Sequence, residues 1–220
     1  MNLRARAPDA SSMRPPHTDE AGLSAAARDA LSRYLDVLAK WNRVYNLTAI
    51  RDRVQMESHH VRDALAVLPF LPDAPPLEVL DVGSGGGIPG IPLAIVRPAW
   101  QITLVDSNRK KVAFLTQAAI ELGLANVRAI ASRVEDMQSD KPFDVVISRA
   151  FSDLRTFAML AGRHVARDGV LIAMKGAFPS DEIAELPSDV QVTATPALDV
   201  PGLDAKRHLV IMRIARKAHA

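Results

Sequence analysis

Four glycines fall within five residues, at Gly83, Gly85, Gly86 and Gly87, directly after a largely apolar run from Leu77 to Val82. No other stretch limits the fold as sharply. The run reads as a strand buried in a parallel sheet. The apolar stretch from Ile88 to Val96 reads as the helix that follows it. Glycine permits positive φ, and its missing Cβ lets a backbone approach a ligand closely. Strand, loop and helix together make a nucleotide-binding corner. Its ligand would sit beyond the carboxyl end of the strand, where open α/β sheets bind ligands. A plain turn needs one or two glycines, not four.

Two registers compete within this loop. Gly85-x-Gly87-x-x-Gly90 matches the dinucleotide fingerprint, which would make the chain an NAD-dependent oxidoreductase. Its first glycine, however, follows two loop residues instead of closing the strand. Pro89 and Pro92 also stand where the helix should offer N–H groups to a pyrophosphate. The other register, Gly83-x-Gly85-x-Gly87 preceded by Asp81, resembles the first motif of S-adenosylmethionine-dependent methyltransferases. That cofactor has no phosphate and loses less by the prolines. The methyltransferase reading is favoured, with Gly83 and Gly85 at the cofactor.

The chain has 220 residues, 48% of them apolar, enough for one α/β domain with an appendage. It has no cysteine, which excludes disulfides and thiolate metal sites and fits a reducing cytoplasm. No apolar run approaches the ~20 residues that span a bilayer. A net charge of +2 permits nucleic-acid binding without demanding it. Residues 1–22, rich in Arg and Pro, read as a disordered tail. Residues 23–72 read as a helical appendage: one helix capped by Ser24, with Leu31, Tyr34, Leu35, Leu38, Trp41 and Tyr45 on its apolar face, and a second from about Val54 to Leu68. His59 and His60 are adjacent and face different ways on a helix, a poor metal pair. No metal and no partner subunit are expected. A proline-rich linker then leads into residues 73–215, the sheet domain.

Within that domain a second strand ends at Asp106, 21 residues past Gly85. A carboxylate there has acceptor oxygens to match two ribose hydroxyls. Further strands are expected over Asn126–Ile130, Phe143–Ser148 and Val170–Met174, with a helix over 152–166. The last two strands, about 189–195 and 208–214, suggest an antiparallel hairpin. Ser132-Arg133-Val134-Glu135 has the spacing of a capping box and also occupies the loop that would meet an adenine. The result is an α/β fold: a Rossmann-like, mostly parallel sheet with a terminal antiparallel strand, as in class I methyltransferases.

Four segments make the likeness more specific. They are Trp41-Asn42-Arg43-Val44-Tyr45-Asn46-Leu47-Thr48, the loop from Asp81 to Leu93, Ser148-Arg149-Ala150-Phe151, and Arg207-His208-Leu209-Val210. In this order they resemble the bacterial small-subunit ribosomal RNA guanine-N7 methyltransferases, formerly called glucose-inhibited division protein B. The resemblance runs from Trp41 to Arg213. It implies methyl transfer from S-adenosylmethionine to N7 of a guanosine in the decoding region of 16S rRNA, in the cytoplasm. It also implies cofactor contacts at Gly83, Ile88, Val134, Glu135 and Arg149.

Guanine N7 carries an in-plane lone pair and no proton, so its methylation needs alignment but no base. After the fourth strand, amino-methylating enzymes of this fold keep an acceptor such as Asn or Asp. Here the position holds Arg149, which is only a donor. It could read guanine O6 or, as the resemblance implies, serve the cofactor; the residues leave both open. Asn46, Lys175, Arg207 and His208 are candidates for contact with 16S rRNA or the small subunit, with a structural ion pair equally open for Arg207. A non-catalytic RNA-binding protein is a third reading, against which the intact glycine loop and Asp106 argue.

Overall fold

The computed structural model describes residues 22–72, 76–149 and 151–215. The tail expected over residues 1–22 therefore lies, but for Gly22, outside the described residues.

The first helix, α1 (Ala25–Tyr45), starts where the Ser24 hydroxyl accepts a hydrogen bond from Ala27 N at 3.1 Å. It stops at Asn46, which adopts the left-handed conformation at φ 49°. Asparagine tolerates that conformation better than most side chains. Leu31, Tyr34, Leu35 and Leu38 are buried on its inner face, against α4 and α5. Burial of each such leucine contributes roughly 1.5–3 kcal/mol.

The second helical segment is not uniform. Asp52 caps α2 (Arg53–Met56) by accepting from Gln55 N at 2.9 Å, a π-helical segment follows over Glu57–Arg62, and α3 (Asp63–Leu65) completes it. The wider π turn rotates the residues after it. It buries both His60 and Asp63, which a straight helix with one apolar stripe would not require.

The sheet strands are β1 (Glu78–Val82), β2 (Gln101–Asp106), β3 (Val127–Ala131), β4 (Phe143–Ser148), β5 (Val165–Lys175), β6 (Val190–Ala194), β7 (Ala197–Leu198) and β8 (Arg207–Ile214). The helices between them are α4 (Gly90–Val96), α5 (Arg109–Leu122), α6 (Leu154–Ala161) and α7 (Ser180–Ala184). The order is β3-β2-β1-β4-β5-β8-β6, with β7 hydrogen-bonded to β8. The first five strands are parallel, and β8 runs antiparallel between β5 and β6. The expected final hairpin is thus present, with its second strand innermost. The order reverses between β1 and β4, so a crevice opens at the carboxyl ends of these two strands.

One apolar core fills the sheet face under α1, α4 and α5, and a second lies under α6. The helices of the appendage share the first core with the sheet.

Three local expectations fail. The helix expected over 152–166 ends at Ala161; a 3-10 turn follows and β5 starts at Val165. Val165 pairs with Phe143 of β4 and the next pair is Val170 with Val145, so polar Arg167 and Asp168 sit in an irregularity that helical spacing mimicked. The helix expected from Ile88 begins only at Gly90, because residues 83–89 are needed as loop. The capping box does not form: Ser132 Oγ donates to the Arg133 carbonyl at 2.8 Å, and Val134–Asp136 is a single 3-10 turn without a side-chain cap.

Candidate active site

The glycine loop is held from every side. Gly83 N and Ser84 N both donate to the Val105 carbonyl, at 2.8 and 3.1 Å. Gly85 N donates to Asp106 Oδ2 at 3.0 Å, and Gly90 N to Asp81 Oδ2 at 3.0 Å. From the helical layer, the buried Tyr34 hydroxyl donates to the Gly86 carbonyl at 2.6 Å. Burial pushes the Tyr34 phenol well above its ordinary pKa, so it remains a donor. Its apolar spacing on α1 gave no hint of this bond.

The glycines do different work. Gly83 has φ +71°, and a Cβ built on it would meet nothing within 4 Å. That side is open for a ligand. Gly87 and Gly90 are packing positions: a Cβ would lie 2.5 Å from Ile91 Cγ1 at Gly87 and 2.2 Å from Leu104 Cδ2 at Gly90. The Ile88 side chain is buried in the core beneath the loop.

Asp81 is fully buried. Desolvation pushes its carboxyl up to about 7, against the opposing pull of Gly90 N–H and Arg149. Its Oδ1 has no hydrogen-bond partner. With this carboxyl at the first turn of α4, the helix end is poorly suited to a pyrophosphate, which weakens the dinucleotide register.

Beside Gly83 lies a cleft of about 360 Å³, lined among others by Asp106, Lys111, Val134, Glu135 and Phe151. Asp106 is 8% exposed; its Oδ2 takes Gly85 N, with Lys111 Nζ 3.8 Å away, and its Oδ1 takes Asn108 N at 2.8 Å. A carboxylate offers about four acceptor sites, so each oxygen keeps a lone pair for a ligand hydroxyl. Val134 forms an apolar wall, and its carbonyl lies 2.8 Å from Nε2 of buried His164. Glu135 lies 3.6 Å from Arg133. Gly83, Asp106, Val134 and Glu135 therefore meet at one cleft, with the Gly85 amide bonded to Asp106 behind it.

Arg149, near enough to Asp81 to pull its carboxyl down, turns its guanidinium toward the helical layer. Its NH1 donates to the His59 carbonyl at 2.8 Å and stands 3.4 Å from Asp63 Oδ2. Asp63, 1% exposed, also accepts from Arg207 Nε at 3.0 Å. One buried carboxylate thus anchors two guanidinium groups and leaves an excess positive charge at the rim. Next to them, His60 is driven down to about 4 by burial and by Arg149, and its Nε2 meets Thr48 Oγ1 at 2.9 Å. Thr48 N in turn donates to Asn42 Oδ1 at 2.9 Å. Lys175 pairs with Glu182 at 2.7 Å, and His208, opposite Lys175 in the β5–β8 ladder, lies 3.0 Å from the Gly176 carbonyl. Asn46 is exposed at the end of α1, 3.4 Å from Arg51. Arg149, Arg207, Lys175 and His208 share one edge of the sheet; Asn46 stands apart from them on the helical layer. Among the described residues no group of three or more His, Cys, Asp or Glu could hold a metal ion, and no helix is long and apolar enough to cross a membrane.

The family model described as rRNA small subunit methyltransferase G matches residues 27–210. The chain is 53% identical over 188 residues to ribosomal RNA small subunit methyltransferase G of Laribacter hongkongensis, covering 86% of this chain and 89% of that protein. It is 53% identical over 190 residues to the protein of that name from Neisseria gonorrhoeae, covering 86% and 90%. Among solved structures it is similar in fold to coclaurine N-methyltransferase, with a TM-score of 0.59, 11% identity and coverage of 78% and 66%. It is likewise similar to precorrin-6y C5,15-methyltransferase from Geobacter metallireducens, with a TM-score of 0.53, 16% identity and coverage of 69% and 87%.

Proposed function

The chain belongs to the rRNA small subunit methyltransferase G family, and on that premise we propose that it methylates N7 of a guanosine in the decoding region of 16S rRNA. S-adenosylmethionine is the donor, and it supplies a methyl group on a positively charged sulfur, ready for attack by a neutral nucleophile. The cleft fits it: Gly83 leaves open space for the methionine part, Asp106 has acceptor capacity for two ribose hydroxyls, and Val134 offers an apolar wall to the adenine. Glu135 borders the same wall.

One observation carries the assignment to N7. Among the described residues at the carboxyl end of β4 and just after it, neither Ser148, Arg149 nor Asp153 is placed to take a proton. Ser148 Oγ donates to the Val82 carbonyl at 2.8 Å. Arg149 is a cation turned toward Asp63. Asp153 caps α6, accepting from Thr156 N at 2.6 Å, and that bond holds its carboxyl below the ordinary range. Guanine N7 needs no deprotonation, so a site without a base suffices. Alignment of acceptor and donor can supply about 7–11 kcal/mol of the barrier reduction in well-oriented pairs. Arg149 and Arg207, fixed by Asp63, would steady the RNA beside the cofactor, and Lys175 and His208 would extend the contact along the rim. The protein would act as a monomer in the cytoplasm.

The test is a pH profile of single-turnover methylation at saturating cofactor and RNA. The rate should be flat through neutrality. A rate rising log-linearly with pH would reveal an essential base and count against N7.

A further inference from the structure

Beyond the cofactor cleft, a second concavity of about 540 Å³ opens at the carboxyl end of β5. Phe178, Ala197 and Leu198 supply its apolar walls, and Lys206, Arg207 and His208 its polar rim. None of its lining residues is acidic. Phe178 is 49% exposed, an unusual state for a phenylalanine that follows a core strand. Its ring stands edge-on to His208, with centroids 5.7 Å apart at 72°. The adjacent Lys175 is held by Glu182, and Arg207 by Asp63, so both cations are fixed in place.

An exposed aromatic ring flanked by fixed cations is the arrangement that single-stranded nucleic acid recognises: the ring stacks on a base while the cations meet the phosphates. The location adds a constraint. Along the rim, β1 carries the glycine loop, β4 lies next, then β5 and β8. Strands are about 4.8 Å apart, so the pocket, between the ends of β5 and β8, lies about 10–14 Å from the glycine loop along the sheet edge. That is too far to hold the methylated base itself and right for a nucleotide beside it.

We propose that Phe178 is the stacking platform for an unpaired nucleotide flanking the methylated guanosine, with Lys206, Arg207 and His208 contacting its phosphates. The inference rests on the RNA methyltransferase reading and adds to it a second, base-stacking subsite. A splayed neighbour held here would keep the acceptor base from restacking and so raise the effective affinity for single-stranded loop RNA.

The test uses the full chain with unmethylated small-subunit particles and with deproteinised 16S rRNA. Half-saturating RNA concentration is measured in single turnover for wild type, Phe178→Trp, Phe178→Leu and Phe178→Ala, alongside calorimetric affinity for S-adenosylmethionine. Phe178→Leu keeps apolar bulk but loses the ring. Both Leu and Ala should raise the half-saturating RNA concentration about tenfold, as for loss of one stacked base, while Trp matches or improves on wild type. Cofactor affinity should be equal in all four. Lys206→Gln should reduce the slope of log affinity against log salt by about one phosphate contact, and Phe178→Leu should leave that slope alone. Wild-type RNA dependence in Phe178→Leu, or a Trp variant as weak as Ala, would overturn the stacking role. A defect with particles but none with deproteinised RNA that wild type methylates would overturn it too, and would point to a ribosomal protein as the occupant. Wild-type protein that binds the cofactor yet methylates neither substrate would instead refute the functional reading, and the subsite with it.

Discussion

Gly83→Ala and Gly90→Ala should fail in opposite ways, although both remove a glycine from the same loop. Gly90 opens α4 in a helical conformation, so a side chain there is not strained by φ. It is excluded by packing. A Cβ would lie 2.2 Å from Leu104 Cδ2 and 2.8 Å from Asp81 Oδ2, and both residues are completely buried. Overpacking a close-packed core costs about 1–3 kcal/mol. Displacing Gly90 N from Asp81 Oδ2 leaves a buried acceptor short of a partner, for about 1–3 kcal/mol more. The sum is about 2–6 kcal/mol, and at about 2–4 °C per kcal/mol for a chain of this size Tm should fall by roughly 5–20 °C. At Gly83 nothing lies within 4 Å of the added methyl, and the cost is the left-handed φ of +71°. That amounts to about 1–2 kcal/mol and a Tm shift of only a few degrees. The methyl would point into the cleft, so S-adenosylmethionine binding should be lost. Thermal unfolding and calorimetric titration of both variants make the comparison. The reasoning is refuted by a Gly83→Ala protein with wild-type cofactor affinity, or by a Gly90→Ala protein with wild-type Tm.

Other residues give sharper individual signatures. Asp106→Ala should weaken S-adenosylmethionine by about 1.5–3 kcal/mol, and also lower Tm because Gly85 N and Asn108 N lose their acceptor; unchanged affinity in calorimetry would remove Asp106 from the site. Asp81 is raised to about 7 by burial, so between pH ~4 and ~7 the unfolded chain ionises first and stability drains away as pH rises, by about 4 kcal/mol at most. His60 is lowered to about 4, so it acts in the opposite sense, costing stability as pH falls from ~6.5 to ~4, by about 3 kcal/mol. The two nearly cancel in the wild type, but urea denaturation at pH 5 and 7.5 should show Asp81→Asn gaining stability relative to wild type as pH rises, and an unchanged difference would place Asp81 ionised throughout. Asp63→Asn leaves Arg149 and Arg207 without their shared anion and should cost about 3–5 kcal/mol, as for breaking a buried ion pair. Asp63→Asn with wild-type methylation rates would show that the position of the two arginines does not matter for transfer.

The parts of the fold that local physics decides were legible in the sequence. β1, the glycine loop and Asp106 are read from apolar runs, φ requirements and strand-end position, and they stand together in the structure. The Ser24 cap follows from short-range hydrogen bonding, and the stop at Asn46 from that residue's tolerance of a left-handed conformation. What the sequence concealed depends on long-range pairing. Asp63 lies 86 residues from Arg149 and 144 from Arg207, and nothing local marks it as their common anchor. Tyr34 shows apolar spacing, yet its hydroxyl reaches Gly86 52 residues away. The π-helical segment over Glu57–Arg62, which leaves the His59 carbonyl, His60 and Asp63 within reach of Arg149, has no periodicity of its own in so short a stretch. Ser132 to Glu135 had the letters of a capping box, but a 3-10 turn of three residues offers no helix to cap.

The central claim is methyl transfer to guanine N7 of 16S rRNA by alignment alone. Its most direct test is mass spectrometry of nucleosides from 16S rRNA, taken from unmethylated small subunits after incubation with the purified protein and S-adenosylmethionine bearing an isotopically labelled methyl group. The label should appear in 7-methylguanosine, at one site in the decoding region. Label in an exocyclic-amino, ribose or other base position, or no label in a protein shown to bind the cofactor, would contradict the account.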